Sequence, residues 1–150
     1  MGPLPRLAAL LQALFALSCA LLIARVVGGG VTSGPVLALV AALLALGLVA
    51  GWSAVLLWRG HRAGAVVTIA MQALLLPRLI TTPLTWVLSM PLTAAVGLGP
   101  GGVPVGKLWW RPAISLTLDS NMGTTWVGVN LVALLAIVGA AQVLRRGTDA

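Results

Sequence analysis

The sequence predicts an all-α integral membrane protein with four transmembrane helices, and three observations support that fold class. Hydrophobic residues make up 60% of the 150 residues and charged residues only 7%, whereas an ordinary soluble domain is about 25% charged. The mean hydropathy is +1.10. Long apolar runs alternate with segments rich in glycine, proline or arginine. So few charges cannot cover a water-exposed surface, and residues 1–150 are therefore predicted to form a single membrane domain.

The first two apolar runs, residues 7–27 and 36–58, predict a helical hairpin. Each supplies about 20 apolar residues, enough to cross a hydrocarbon core of roughly 30 Å. The link between them is short and uncharged, so the two helices should be antiparallel. Small residues would let helices approach closely: Ala9, Ala13, Ala16 and Ala20 in the first run, and the GxxxG pair Gly47 and Gly51 in the second. GxxxG also arises easily by chance in such a composition, so chance spacing and specific pairing both stay open.

A third helix, interrupted by proline, is predicted over residues 63–82. Apolar character continues from residue 63 to residue 98, and a single helix of that length would measure about 54 Å. Pro77, Pro83 and Pro91 must therefore interrupt it, because proline removes a backbone donor and clashes with the preceding turn. On this helix Gln72 lies near the membrane midplane. Arg78 lies near the outer boundary, from which its side chain is expected to snorkel towards the headgroups.

Residues 83–125 are predicted to form a hydrophobic extramembrane or interfacial insertion between the third and fourth helices. Within it, residues 84–98 fit a re-entrant segment, an interfacial segment or a fifth span, and residues 114–118 fit a short strand or an interfacial turn. Trp109, Trp110 and Arg111 are expected in the headgroup belt. Residues 97–102 match GxGxxG, but the flanking strand and helix of a dinucleotide site are not predicted there. A flexible linker is the better interpretation.

The distribution of arginine predicts how the chain is threaded. The fourth helix, residues 126–144, ends at Arg145 and Arg146. With four spans, both termini and the link that holds Arg59 and Arg62 share one side. The positive-inside rule places that side in the cytoplasm, for a multi-pass protein of a bacterial-type inner or plasma membrane. The net charge of +7 then reflects topology and contacts with anionic lipids, and not nucleic-acid binding.

Catalytic and metal-binding patterns are scarce. Asp119 and Asp149 are the only carboxylates and His61 the only histidine, so no hydrolytic triad can be assembled. His61 leaves one remote alternative, a pigment or haem with a single protein ligand. Cys19 is the only cysteine and cannot form an intrachain disulfide. We therefore predict neither an enzyme nor a protein with a cofactor or metal.

Polar residues inside or beside the predicted spans are the candidates for contact with a partner or ligand, because such groups usually face other helices or a cavity. They are Gln72, Arg78, Thr81, Thr82, Trp109, Trp110, Arg111 and Asn130. The favoured hypothesis is a small accessory or scaffolding subunit of a larger membrane complex, such as electron-transport, photosynthetic or transport machinery. The alternative is a small-molecule or lipid-binding protein or transporter with a polar pocket near Arg78.

Overall fold

The computed structural model describes residues 2–30, 33–80, 84–89, 93–109, 113–118 and 126–146. Within these residues the chain is mostly helical, and its four α-helices are joined to one six-stranded sheet. The helices are α1 (Pro3–Gly28), α2 (Gly34–Trp58), α3 (Arg62–Leu75) and α4 (Leu131–Arg146). The prediction of a mainly helical fold with a helical hairpin at the start is therefore confirmed, but the sheet shows that the fold is not all-α.

The α1 and α2 helices are long and uninterrupted. Each carries a proline in its first turn, where the missing backbone donor costs nothing because that donor has no intrahelical partner. After α1, the N–H groups of Gly29 and Gly30 donate to the carbonyls of Arg25 and Val27 at 3.1 and 3.0 Å. Among the described residues, these two helices are long and apolar enough to cross a membrane. Their lengths are about 39 and 38 Å at 1.5 Å per residue.

The α3 and α4 helices are shorter than the sequence predicts. With 14 and 16 residues, they measure about 21 and 24 Å, less than the roughly 30 Å hydrocarbon core. Helix α3 ends at Leu75 and not near residue 82, since Pro77 cannot donate to the carbonyl four residues earlier. Helix α4 begins at Leu131 and not at residue 126, because the preceding residues alternate between buried and exposed, as a strand does.

The predicted insertion is largely an antiparallel sheet. Its strands are β1 (Pro77–Ile80), β2 (Leu84–Ser89), β3 (Thr93–Leu98), β4 (Pro104–Trp109), β5 (Ala113–Leu118) and β6 (Trp126–Asn130). The order across the sheet is β4-β3-β6-β1-β2-β5, which places β4 and β5 at the edges. Where they are described, residues 84–98 are thus strand and not a fifth helical span. Residues 114–118 lie in β5, so the strand alternative for that segment is confirmed.

The segment that matches GxGxxG is the connection of the β3–β4 hairpin. A single 3₁₀ turn at Pro100–Gly102 joins the strands, and the N–H of Gly99 donates to the carbonyl of Val103 at 2.8 Å. Gly101 and Gly102 have φ values of 70° and 76°, which side-chain-bearing residues rarely adopt. The segment leads into a strand and not into a helix, so it lacks the helix N-terminus of a dinucleotide site.

The four helices pack as a ring in which α1 contacts α2 and α4, and α3 contacts the same two helices. Most of the buried core is alanine, which lets the backbones approach closely. The α4–α1 contact is especially close at Gly139, where a Cβ atom would lie 2.5 Å from the Leu4 carbonyl oxygen and 2.9 Å from Ala8 Cβ. The helix pair α3–α4 then continues directly into the central strands β1 and β6.

Candidate functional site

Two groups of buried polar side chains stand out. The bundle cluster consists of Gln12, Thr68, Met71 and Gln72, and it lies among the helices. The junction cluster consists of Arg78, Lys107, Trp126 and Asn130, and it lies where α3 and α4 meet the sheet. Apart from Lys107, every member of the two clusters is buried. Polar groups buried in an apolar protein need internal partners, so these clusters are the natural candidates for function or for structural specificity.

The bundle cluster joins α1 to α3. Gln72 Nε2 donates to Gln12 Oε1 at 2.8 Å, and Gln12 Nε2 donates to Met71 Sδ at 3.1 Å. Thr68 Oγ1 and Gln72 Oε1 are buried and have no hydrogen-bond partner among the described residues. The cluster therefore ties two helices together and leaves two of its oxygen atoms unsatisfied.

Sequence reasoning singled out Gln72 but missed Gln12, its partner. Gln12 is the one amide side chain in α1, in the middle of an otherwise apolar run. The same argument that favours an inward-facing Gln72 applies to Gln12, because an amide that faces lipid has no partner. The sequence did contain a signal for this pairing. Gln12 and Gln72 lie at similar distances from the same end of an antiparallel helix bundle.

Asn130 holds the start of α4 against the end of α3. Its Oδ1 accepts hydrogen bonds from the N–H groups of Val132 and Ala133 at 3.1 and 3.5 Å, which is the geometry of an N-cap. Its Nδ2 donates to the Leu75 carbonyl at 3.4 Å, and its backbone N–H donates to the Leu76 carbonyl at 2.9 Å. Helix ends leave such donors and acceptors unsatisfied, so one side chain here serves two helix termini.

Arg78 lies in β1. One face of the sheet carries the buried side chains of its strands, and we call it the inner face; the Arg78 side chain lies on this face. The side chain is only 2% exposed, so the expectation that it snorkels towards the headgroups is wrong. The reason is that α3 ends before residue 78, and strand alternation then turns this side chain inward.

The inner face gathers two cations near one indole ring. Arg78 is paired in register with Gly128, and the ring of Trp126 lies against Gly128, where a Cβ would be 2.6 Å from Trp126 Cζ2. The Lys107 ammonium lies 5.6 Å from the centroid of the Trp126 ring, within the range of a cation–π contact. Arginine and lysine side chains are donors only, so this face presents positive charge and hydrogen-bond donors.

The remaining predicted residues are dispersed. Thr81, Thr82, Trp110 and Arg111 lie outside the described residues. Trp109 ends β4, in register with Thr93 of β3. His61 is exposed at the start of α3, away from both clusters. Of the predicted contact residues, the structure thus brings Arg78 and Asn130 to one face of adjacent strands and places Gln72 in the helix that leads there.

The small residues predicted for helix packing have different surroundings. Ala9 is buried in the helical core. Ala16 lies against α2, where a Cβ at Gly47 would be 3.7 Å from the Ala16 carbonyl oxygen and one at Gly51 would be 3.8 Å from Ala16 Cβ. Ala13 and Ala20 are exposed and line two open grooves between α1 and α2, to which Ala9 and Ala16 also contribute. The alanine stripe therefore serves both close packing and an open surface.

Comparison with known proteins gives no relative: no family model, no curated protein and no solved structure matches the chain. Across the described residues there is likewise no group of three or more His, Cys, Asp or Glu side chains that could hold a metal ion.

Proposed function

We propose that this chain is a multi-pass integral membrane protein that serves as an accessory or scaffolding subunit of a larger membrane complex. The support begins with α2. Only 17% of its most apolar stretch is buried, against 39% for α1. A helix at the core of a water-soluble protein would bury most of that surface, because exposed apolar area costs about 25 cal/mol per Å² in water. Such an exposed apolar surface requires contact with lipid or with a partner protein, and not with water.

The depth of the sheet supports a protein partner in addition to lipid. Gln12 contacts Gln72, so α3 ends near the middle of α1, and the rest of α1 extends about 24 Å past Gln12. The sheet begins at that level. Strands at membrane depth need their edges covered by protein, because unpaired backbone groups in hydrocarbon cost several kcal/mol each. The edge strands β4 and β5 would gain such cover in a complex.

The outer face of the sheet, defined by Val96, Leu98, Val127 and Val129, is the observation that carries the proposal. These four side chains form two cross-strand pairs, Val96 with Val129 and Leu98 with Val127, and all four are exposed. They form a contiguous apolar patch on a rigid sheet, which is typical of an interaction surface. In this proposal the outer face and the edges of the sheet contact other subunits, and the α1–α2 hairpin contacts lipid.

The proposal includes a topology. Arg6 lies over the ring of Trp58 at 6.0 Å, so the start of α1 and the end of α2 share one end of the bundle with Arg59 and Arg62. We assign this basic end, with both termini, to the cytoplasmic side. Alkylation of single cysteines placed at position 60 and at position 101, with a reagent that does not cross membranes, tests it. Labelling in intact cells should occur at position 101 and not at position 60.

Native mass spectrometry of the complex, extracted in mild detergent, tests the accessory role. A stoichiometric partner should accompany the wild-type chain. The double variant Val96→Thr/Val129→Thr should lose it, because threonine keeps the β-branched shape and makes the patch polar. The matched control Leu21→Thr/Leu48→Thr changes exposed residues of the hairpin and should retain the partner. A wild-type chain that is recovered alone from membranes would overturn the accessory role.

The inner face supports a second candidate function, the binding of a small anionic molecule or lipid near Arg78. The observation in its favour is that both cations belong to the inner face: Lys107 lies over the Trp126 ring, and Arg78 is in register with Gly128, against which that ring packs. Arg78→Ala should then abolish ligand binding or transport while assembly with partners persists. If assembly and ligand retention are lost together, Arg78 serves the structure of the sheet and this second function is rejected.

A further inference from the structure

A groove between the start of α1 and the end of α2 opens at the basic end of the bundle. Its volume is about 360 Å³, which lies within the range of small-molecule sites. The lining is apolar along the helices and becomes aromatic and cationic at the mouth: Ala9, Leu10, Ala13, Ala54, Val55, Trp58 and Arg59. Small alanine side chains on both helices leave the space open.

The mouth of the groove carries two arginines. Arg59 follows directly after α2 and lines the groove. The Arg6 guanidinium lies 6.0 Å from the centroid of Trp58, which also lines it. The chain as a whole has nine Lys and Arg residues and two acids. Most of these cations must therefore be compensated by anions from outside the chain.

We propose that this groove binds one anionic phospholipid, with an acyl chain along Ala13 and Ala54 and the phosphate at Arg59 and Arg6. The groove changes along its length in the same order as a phospholipid does. Its inner part is apolar, as an acyl chain is; an aromatic side chain lies at the boundary; and cations lie at the level of the headgroup. Guanidinium groups suit phosphate because they can donate two parallel hydrogen bonds to it. This inference rests on the membrane location proposed above, and not on the accessory role.

A second groove on the same hairpin provides an internal comparison. It has a volume of about 460 Å³ and is lined by small and aliphatic residues, among them Ala20, Ala24, Leu44 and Leu48. These lining side chains carry no charge, so this groove can accept an acyl chain but has no means of selecting an anionic headgroup. Only the first groove should therefore discriminate between lipids by charge.

The test uses the full chain in nanodiscs that contain equal amounts of phosphatidylglycerol and phosphatidylcholine. Native mass spectrometry of the released protein should show one retained phosphatidylglycerol in excess over phosphatidylcholine. Arg59→Gln and Arg6→Gln should each reduce that preference by about five-fold, the effect expected for one cation near a lipid surface. Ala13→Leu should reduce retention without any change of charge, because Ala13 is exposed in the groove and its substitution fills the space.

Two control variants make the result specific. Arg25→Gln removes an exposed cation from the other end of α1, and Ala24→Leu fills the second groove. Both should keep the wild-type preference for phosphatidylglycerol. An equal loss of preference in Arg25→Gln would overturn the proposal, since the effect would then be general surface charge. Equal retention of the two lipids by the wild-type chain would also overturn it.

A third outcome concerns a protein occupant. A single cysteine placed by Ala13→Cys, with Cys19 replaced by alanine, should not crosslink to another chain in native membranes. A crosslinked protein partner there would overturn the lipid assignment. Failure of the membrane proposal itself is recognised separately, because the chain would then appear in the soluble fraction of lysed cells.

Discussion

The α1–α2 hairpin and the α3–α4 half of the molecule are both apolar, yet they form different structures. The hairpin consists of two uninterrupted helices of 26 and 25 residues. In the other half, helices of 14 and 16 residues pass directly into strands of a shared sheet. The difference shows that apolarity decides where residues can be buried, whereas proline, glycine and two-residue alternation decide whether they form helix or strand.

The two regions also use their polar side chains differently. In the hairpin, Ser18 and Ser53 donate to carbonyls of their own helices, at 2.6 Å to Leu14 and 2.9 Å to Ala50. In the other half, Asn130 connects two helix ends. Loss of either serine hydroxyl should therefore be tolerated in the hairpin, whereas loss of the Asn130 amide should be costly at the junction. The following predictions test this difference, beginning with the largest effect.

Asn130→Ala should destabilise the protein by about 3 kcal/mol, which combines the loss of an N-cap with a buried carbonyl left without its donor. The free energy of unfolding, measured by titration with denaturing detergent, checks the magnitude. Hydrogen exchange should speed up at Val132 and Ala133 and at the end of α3. Asn130→Ser should recover part of the loss, because its hydroxyl can still cap α4.

The hairpin offers the matched control for that prediction. Ser53→Ala removes a fully buried hydroxyl that bonds only within α2. Alanine is a better helix former than serine, so the change should stay within about 0.5 kcal/mol. If the two variants were equally destabilised, the distinction between the hairpin and the junction would be wrong.

A second comparison concerns glycines at helix contacts. Gly139→Ala places a Cβ 2.5 Å from the Leu4 carbonyl oxygen, which belongs to backbone and cannot rotate away. Overpacking should outweigh the roughly 1 kcal/mol gain in helix propensity and leave a net loss of about 1–2 kcal/mol. At Gly51 the corresponding Cβ would be 3.8 Å from Ala16 Cβ, an ordinary contact, so Gly51→Ala should be neutral or stabilising. Thermal unfolding of both variants in the same detergent measures the difference.

The hairpin could be predicted from the sequence because its signals act locally. Proline at each helix start and glycines after α1 mark ends that depend on neighbouring residues alone. The sheet could not be predicted in the same way. Strand β6 is a five-residue stretch whose pairing partners β1 and β3 lie more than 25 residues away in the chain, and an apolar segment of that length fits helix or strand equally well.

The candidate site shows the same limit. Gln72 and Asn130 could be singled out from the sequence because polar groups in apolar segments face inward. Gln12 could have been matched to Gln72 by its similar distance from the same end of the bundle, whereas the Leu75 carbonyl could not be paired with Asn130 beforehand, because that contact depends on where α3 ends and α4 begins. The predicted position of Arg78 is wrong because it assumes that α3 continues through residue 78, whereas α3 ends at Leu75.

The Gln12–Gln72 hydrogen bond should contribute less than the junction, and a double-mutant cycle isolates it. The variants are Gln12→Leu, Gln72→Leu and the pair, compared by detergent titration. Interhelical hydrogen bonds in membrane proteins contribute about 1 kcal/mol, so the coupling energy should be near that value. Since each single variant leaves the partner amide buried without its hydrogen bond, the double variant should be more stable than the sum of the single changes predicts. A coupling energy of zero would contradict the pairing.

Thr68→Val should have the smallest effect and the opposite sign. Thr68 Oγ1 is fully buried and has no hydrogen-bond partner among the described residues. Replacing it with a methyl group of similar size removes an unsatisfied polar atom and creates no cavity, so the protein should be unchanged or stabilised by up to about 1 kcal/mol. A destabilisation above that size would mean that the hydroxyl has a partner, such as an ordered water shared with Gln72 Oε1. Repeating the substitution in the Gln72→Leu background tests that reading, because the penalty should then disappear.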